Sequence, residues 1–329
     1  MSLHLDATPA HGPADAARQA LPPRPPRTTR SRLTWLDIKG SPYLYIAPFF
    51  IIFAVFMLYP LIYTLYVSTR NWTLGAQTST SVGFANFTEL YHDHDFWNSV
   101  VNTFGIFVIS TVPQLLLALF LANLLNRAIR ARTLLRIGIV VPIVTSTAVI
   151  GLVFNQLYSK DFGLINYLLH FVGVHHIDWK ASRWSSWTAL ATMVDWRWTG
   201  YNALIYLAAM QTIPRDIYES ASLDGARSST QFWRITVPLL RPTIIFTVII
   251  STIGGLQLFG EPALFNSGSN YLSGGSLHQF QTVTMYLLQE MFNRSRLGYA
   301  GAIAWVLFLL ILITSVLNFL IVRRINSEK

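Results

Sequence analysis

The sequence predicts an all-α, polytopic integral membrane protein with six transmembrane helices. Three observations carry that reading. Of 329 residues, 52% are hydrophobic and 12% charged, about half the charge of an ordinary soluble domain. Long uncharged windows rich in Leu, Ile, Val and Phe recur along the chain, and a bilayer core of about 30 Å takes roughly 20 such residues in a helix. Lys and Arg collect in alternate connections between those windows. With 14% aromatics and no cysteine, the chain is neither a disulfide-built secreted domain nor intrinsically disordered as a whole.

Residues 1–41 hold six of the fifteen prolines and no apolar run, which predicts a disordered basic cytoplasmic arm that sets orientation and touches anionic membrane lipid. The window 40–69 is too long for the apolar region of a cleavable leader, and no cleavage-type site follows it, so it is expected to stay as the first span. Windows 96–126 and 137–159 give the second and third spans. The fourth, about 186–210, is interrupted by Asp195 and Arg197. The fifth covers 242–260 and the sixth 297–322. One more uncharged stretch, 262–289, is dense in Ser, Gly, Asn, Gln and Thr. It is expected to be an external loop with a surface helix near Met285 to Leu288. The chain thus divides into the arm, a six-helix membrane domain over 42–325 and a cytoplasmic tail at 326–329.

Seventeen Lys and Arg fall in the arm, in 127–136, in 215–241 and after residue 322, against six at Arg70, Lys160, Lys180, Arg183, Arg294 and Arg296. The basic side faces the cytoplasm, which places both termini there. This sidedness, with the basic arm, accounts for the net charge of +9, and no nucleic-acid partner is expected.

The cytoplasmic connection 211–241, QTIPRDIYESASLDGARSSTQFWRITVPLLR, does not read as a linker. Thr212 suits an N-cap and Pro214 the first helical position. Asp216 and Glu219 suit the positive helix end, and Gly225 suits a left-handed terminus. On this helix Ile217, Ala221 and Leu223 are expected to face the membrane domain, with Tyr218, Ser222 and Ala226 near the turn. A second short helix, Ser228 to Thr236, is expected to stop at Pro238 and Pro242. Composition alone leaves an amphipathic helix lying on lipid headgroups as an equal reading.

Glu219, Ser220, Ala221, then Asp224, Gly225, Ala226, then Ile235, Val237 and Pro238 resemble the EAA motif of binding-protein-dependent ABC importer permeases, with Ser in place of the motif's second Ala. The blocks IPRDIYE, ITVPLLRPT, YLYIAPFF, DFWNSVVNTF, RIGIVVPIV and DFGLINYLL, and the run from Val194 to Pro214, resemble the carbohydrate-uptake branch, the family of the maltose-transporter permease subunits. The likeness extends from Pro42 to Arg324. It implies an ABC type I importer permease of a bacterial cell membrane, whose 211–241 segment is a coupling helix docked in an ATPase dimer. It further implies a second homologous permease, an extracytoplasmic solute-binding protein and a carbohydrate substrate, carried by alternating access. GGLQLFGEP and LGYAGAIAWVLF resemble permeases for plant-derived oligosaccharides such as cello-oligosaccharides. No G-x-x-x-x-G-K-[ST] run occurs in the chain, so ATP hydrolysis belongs to a separate subunit and this chain is not expected to be an enzyme.

Polar side chains inside a span are functional candidates. Asp195 and Arg197 sit two residues apart, about 200° around a helix, so they are not expected to pair. Trp196, Trp198, Gly200, Tyr201 and Asn202 offer rings to stack on a sugar, an amide for its hydroxyls and room for close approach, although Trp and Tyr also form interfacial belts. In span five, Gly254 and Gly255 loosen the helix or serve packing. Gln257 and Phe259 follow as solute candidates, with Glu261 at the outer end, where it is free to meet a binding protein.

Other chemistries find little support. His92 and His94 flank Asp93, and His175 adjoins His176, without the spaced ligands of a zinc site. No G-x-S-x-G elbow occurs. Neither a metal nor a cofactor is expected. The rival from another class is an ion-coupled secondary transporter using Asp195, for which inverted repeats would be expected; none is evident.

Overall fold

The computed structural model describes residues 32–127, 132–266, 268 and 270–327. Most of the expected arm, residues 1–31, lies outside them, as does the end of the tail at 328–329. The chain divides into two units, 1–60 and 61–329.

In the first unit α1 (Arg32–Phe53) starts within the stretch expected to be disordered and runs into a π turn at Ala54–Leu58. None of residues 42–60 is buried. A side-chain set such as Phe49, Phe50, Ile51 and Ile52, exposed all round, suits lipid as solvent.

The second unit begins at Leu61, within α2 (Tyr59–Ser68), and turns through a two-residue antiparallel ladder, β1 (Arg70–Asn71) with β2 (Thr80–Ser81), in which Arg70 faces Ser81. After α3 (Ala85–His92), Asp93 caps α4 (His94–Asn126) by accepting the N–H groups of Asp95 and Phe96 at 2.9 and 3.3 Å. Those are donors a helix start leaves unpaired. Then follow α5 (Arg132–Val144), α6 (Thr147–Leu157), α7 (Leu164–His170) and α8 (Arg183–Met210).

Pro42–Ser68, α4 and Leu297–Ile321 are each long and apolar enough to cross a membrane. The expected third span is bent: α5 meets α6 at 97° across Thr145 and Ser146, and the Ser146 hydroxyl accepts the Ala148 N–H that opens α6. α8, at 28 residues, is long enough to cross at 1.5 Å per residue but carries Asp195 and Arg197. α4 and α8 pack along their lengths. The ring of Trp187 lies where a side chain on Gly105 would be, while Ala118, Ala122 and Leu125 share a core with Ala203, Tyr206 and Met210. The two helices therefore run parallel, with the bent α5–α6 pair between them in the chain.

Beyond α8 come α9 (Arg215–Leu223), α10 (Ser228–Gln231), a π turn at Phe232–Thr236, α11 (Val237–Leu239) and α12 (Arg241–Leu256). The second short helix does not stop at Pro238. The Val237 N–H pairs with the Phe232 carbonyl in a widened turn, which eases the carbonyls aside for a ring that has no N–H to give. The chain bends by 69° into α12, where Pro242 sits in the first turn.

The stretch expected to be an external loop with a surface helix is largely buried within the protein. After α13 (Gly260–Phe265), Leu272, Phe280, Val283, Met285 and Tyr286 are buried, and α14 (Val283–Leu288) leads through a π turn to α15 (Leu297–Ser327). Its polar residues and their neighbours satisfy buried backbone, as buried polar groups must. Asn102 donates to the carbonyls of His278 and Gln281 at 2.8 and 3.1 Å, Thr282 to Leu258 at 2.8 Å, and Trp187 to Gln279 at 3.2 Å.

Candidate functional site

Span five breaks where the sequence placed its glycines. α12 ends at Leu256, residues 257–259 are not helical, and α13 begins at Gly260. Irregular backbone at membrane depth is tolerated where it lines a cavity or is buried in protein, and here it does the former. A cavity of about 310 Å³ opens between this break, α4, α8 and the first residue of α6, within the size of small-molecule sites.

Its wall is built by helical phase. Val194, Arg197, Trp198, Tyr201 and Asn202 of α8 fall at i, i+3, i+4, i+7 and i+8, one face of the helix. Gln257, Leu258 and Phe259 come from the break, Ile250, Ser251, Gly254 and Gly255 from α12, Thr111 and Gln114 from α4, and Thr147 from α6. Gly254 leaves open space towards the cavity, whereas Gly255 both lines it and accommodates Phe107. Trp198 and Tyr201 meet edge to face at 6.0 Å. Rings, amides and hydroxyls thus converge on one volume.

Five of the seven expected substrate-path residues, Trp198, Tyr201, Asn202, Gln257 and Phe259, line the cavity. Trp196 and Gly200 do not. They lie about 200° around α8 from Trp198. The Trp196 ring packs 5.7 Å from Phe154 of α6, and Gly200 lies under the Ile139 carbonyl of α5, 1.8 Å from where a Cβ would be.

Glu261 is buried in the wall, not free at an outer end, and its Oε1 accepts from Arg197 Nη1 at 2.6 Å. Arg197 thus finds a carboxylate 64 residues on, while Asp195 lies outside the lining with Oδ1 buried and unpartnered. Thr111, Gln114, Thr147 and Ser251 join the wall without having been expected there; an amide in the apolar window 96–126 is the signal that points to Gln114.

The other expected residues form the 211–241 corner. α9 has no buried residue, and Leu223 is 90% exposed, so it does not face the helices as expected. Thr212 is no N-cap: its hydroxyl donates back to Ala209 and closes α8, leaving Pro214 at the cap. Glu219, Ser220 and Asp224 are exposed, and Ala221, Ala226 and Pro238 half-buried. Gly225 has φ +77°, the left-handed turn foreseen for it. The Ala226 N–H reaches back to Ala221 at 2.9 Å, Gln231 donates to the Ser222 hydroxyl and the Ala226 carbonyl, and Tyr218 and Thr236 share a hydrogen bond of 2.9 Å. The corner is pinned internally while its outer face stays open.

The histidines flanking Asp93 do not gather around it. Its Oδ2 instead accepts the hydroxyls of Tyr286 and Tyr299. Burial pushes the Asp93 carboxyl up, but these two bonds and the capping N–H groups outweigh it and hold the group below its ordinary value. Nearby, the buried Glu290 pairs with Arg294 at 2.5 Å and Arg296 at 3.4 Å, and Arg296 reaches Glu89 at 2.6 Å.

Residues 94–327, from the first residue of α4 to the end of α15, match the model of the binding-protein-dependent transport system inner membrane component. The chain belongs to this family. It is 35% identical over 301 residues to the lactose transport system permease protein of Rhizobium radiobacter, covering 90% of this chain and 98% of that one. It is 31% identical over 301 residues to the sulfoquinovosyl glycerol transport system permease protein of Agrobacterium fabrum, covering 91% and 94%. Its fold is shared with a crystal structure of a bacterial ABC transporter involved in the import of the acidic polysaccharide alginate, at a TM-score of 0.74 and 23% identity over 89% of this chain and 99% of that one. The protein is therefore an inner-membrane permease component with the type I importer permease fold.

Proposed function

We propose that this permease carries a di- or oligosaccharide into the cytoplasm as one subunit of an ATP-driven ABC importer. The observation that carries the reading is the cavity, where Trp198, Tyr201 and Phe259 offer rings to the C–H faces of a sugar and Gln257, Asn202 and Gln114 offer amides to its hydroxyls. Relatives named for lactose and for a sulfoquinovosyl glycoside support the same class of solute. A second homologous permease completes the pathway, and an extracytoplasmic solute-binding protein delivers the sugar. ATP binding and hydrolysis take place in a partner ATPase dimer that docks on the corner of Glu219, Ser220, Ala221, Asp224, Gly225 and Ala226, with Pro238 in the following helix. The open outer face of α9 suits that role, and the internally pinned turn suits transmission of a rigid-body motion between inward- and outward-facing states. The distribution of Lys and Arg favours cytoplasmic termini.

The test is uptake of radiolabelled di- and oligosaccharides into cells carrying the complete transporter, with and without Gly225→Asp. Nothing lies within 4 Å of a Cβ at Gly225, so the substitution disturbs the turn's left-handed backbone at a cost of about 1–2 kcal/mol and leaves the membrane core alone. Uptake of one sugar is expected to collapse while the protein still inserts. Unchanged uptake of every sugar would refute the assignment of the corner.

A further inference from the structure

Among the described residues lining the cavity, two carry charge, Arg197 and Glu261, and they neutralise each other at 2.6 Å with side chains only 18% and 6% exposed. The rest of the polar wall is uncharged: Gln114, Gln257, Asn202, Thr111, Thr147 and Ser251. Building on the importer reading, we infer that the Arg197–Glu261 pair makes this cavity a site for uncharged saccharides and excludes acidic ones. The comparison proteins bracket the question, since lactose is neutral while the sulfoquinovosyl glycoside and alginate are anionic.

A charge held away from water is costly unless it is paired. Arg197 meets that requirement with Glu261, and its face lies 5.4 Å from the Trp198 ring centre. A carboxylate, sulfonate or phosphate on an entering sugar would have to displace Glu261, stranding one buried anion, or lie beside it as a like charge. A neutral sugar meets neither obstacle. Its hydroxyls both donate and accept, so they are served by a wall of amides, hydroxyls and a neutralised ion pair whose Arg197 Nε still lacks a partner. Glu261 is thus a specificity-determining residue that acts by cancelling Arg197, and Asp195, outside the lining, takes no part.

The experiment has two arms. In cells with the complete transporter, uptake of labelled lactose, maltose, cellobiose and arabinobiose is compared with that of digalacturonate. At least one neutral sugar is expected to enter about tenfold or more faster than the acidic one, the scale of an uncompensated charge. In the second arm the purified transporter without its binding protein is melted with each sugar, as wild type and as Glu261→Gln. Because Glu261→Gln leaves Arg197 uncancelled, digalacturonate is expected to raise the melting temperature of the variant and not of the wild type. The inference is overturned if wild type carries or is stabilised by digalacturonate as well as by a neutral sugar, or if a folded variant gains no response to it. Should the variant fail to assemble, the wild-type melting comparison, made without the binding protein, decides alone. If wild type takes up no saccharide at all, the importer reading itself has failed, and the inference falls with it.

Discussion

Gly200 was expected on the solute path and lies instead at the crossing of α8 and α5, which makes it the sharpest test of the packing. A Cβ there would stand 1.8 Å from the Ile139 carbonyl oxygen and 2.8 Å from its carbon, where ordinary contact begins near 3.4 Å. The obstacle is backbone, so no side chain can swing aside and α5 or α8 must shift by more than an ångström. Overpacking of this kind costs about 1–3 kcal/mol. Gly254→Ala is the control, since nothing lies within 4 Å of its Cβ and Ala is favoured over Gly in a helix interior by about 0.8–1.0 kcal/mol. The two variants are therefore expected to differ by about 2–4 kcal/mol in stability. The absence of cysteine rules out thiol-reactive dyes, so the assay is the fraction of detergent-solubilised transporter that stays monodisperse after heating, read by size-exclusion chromatography. If Gly200→Ala melts at or above wild type and Gly254→Ala, the close approach is not a constraint and the reasoning fails.

Other substitutions probe the site and its supports. Trp198→Ala is expected to cut uptake about fivefold or more, since truncating a Trp at the centre of a binding surface commonly costs more than about 1 kcal/mol, and Trp196→Ala to leave it nearly unchanged; equal effects would contradict the helical phase of the wall. Asn102→Ala removes the side-chain donor from the Gln281 carbonyl and leaves the His278 carbonyl to Asn98 alone, and is expected to destabilise by about 1–3 kcal/mol, checked by the same melting assay. Asp93 has its carboxyl held below the ordinary value of 3.8. Its stabilisation is therefore fully present above about pH 4 and is lost as pH falls through the lowered value. Asp93→Asn should flatten the acid side of the stability profile, and an unchanged acid limb would show that the Tyr286 and Tyr299 hydroxyls do not govern it.

Much of this protein was legible in one dimension because the bilayer imposes a one-dimensional rule. A crossing needs a long uncharged run, so the positions of α1–α2, α4, α12 and α15 follow from where charges are absent, and α8 from an apolar run that Asp195 and Arg197 interrupt. The 211–241 corner was legible because Gly225 marks a left-handed turn by local chemistry alone. Span three was legible as a window but not as a helix bent by 97°, since hydropathy counts residues and ignores direction. The candidate site was half readable: polarity inside a span picks out Trp198, Tyr201, Asn202, Gln257 and Phe259, and the 3.6-residue period of α8 would have set aside Trp196 and Gly200.

What the sequence alone determined was the membrane class, the all-helical fold and the family resemblance, all of which rest on local composition and spacing. What only the tertiary structure decided depends on contacts between residues far apart in the chain. The polar stretch 262–289 reads as solvated loop by composition, yet most of its described residues are buried or half-buried, because Asn102, Thr103, Trp187 and Leu258 give its backbone and hydroxyls partners that water would otherwise supply. Glu261 reads as an outer-end carboxylate, yet it neutralises Arg197 in the cavity wall. A charge tolerates burial only beside its opposite, and no count along the sequence shows which opposite the fold will bring to it.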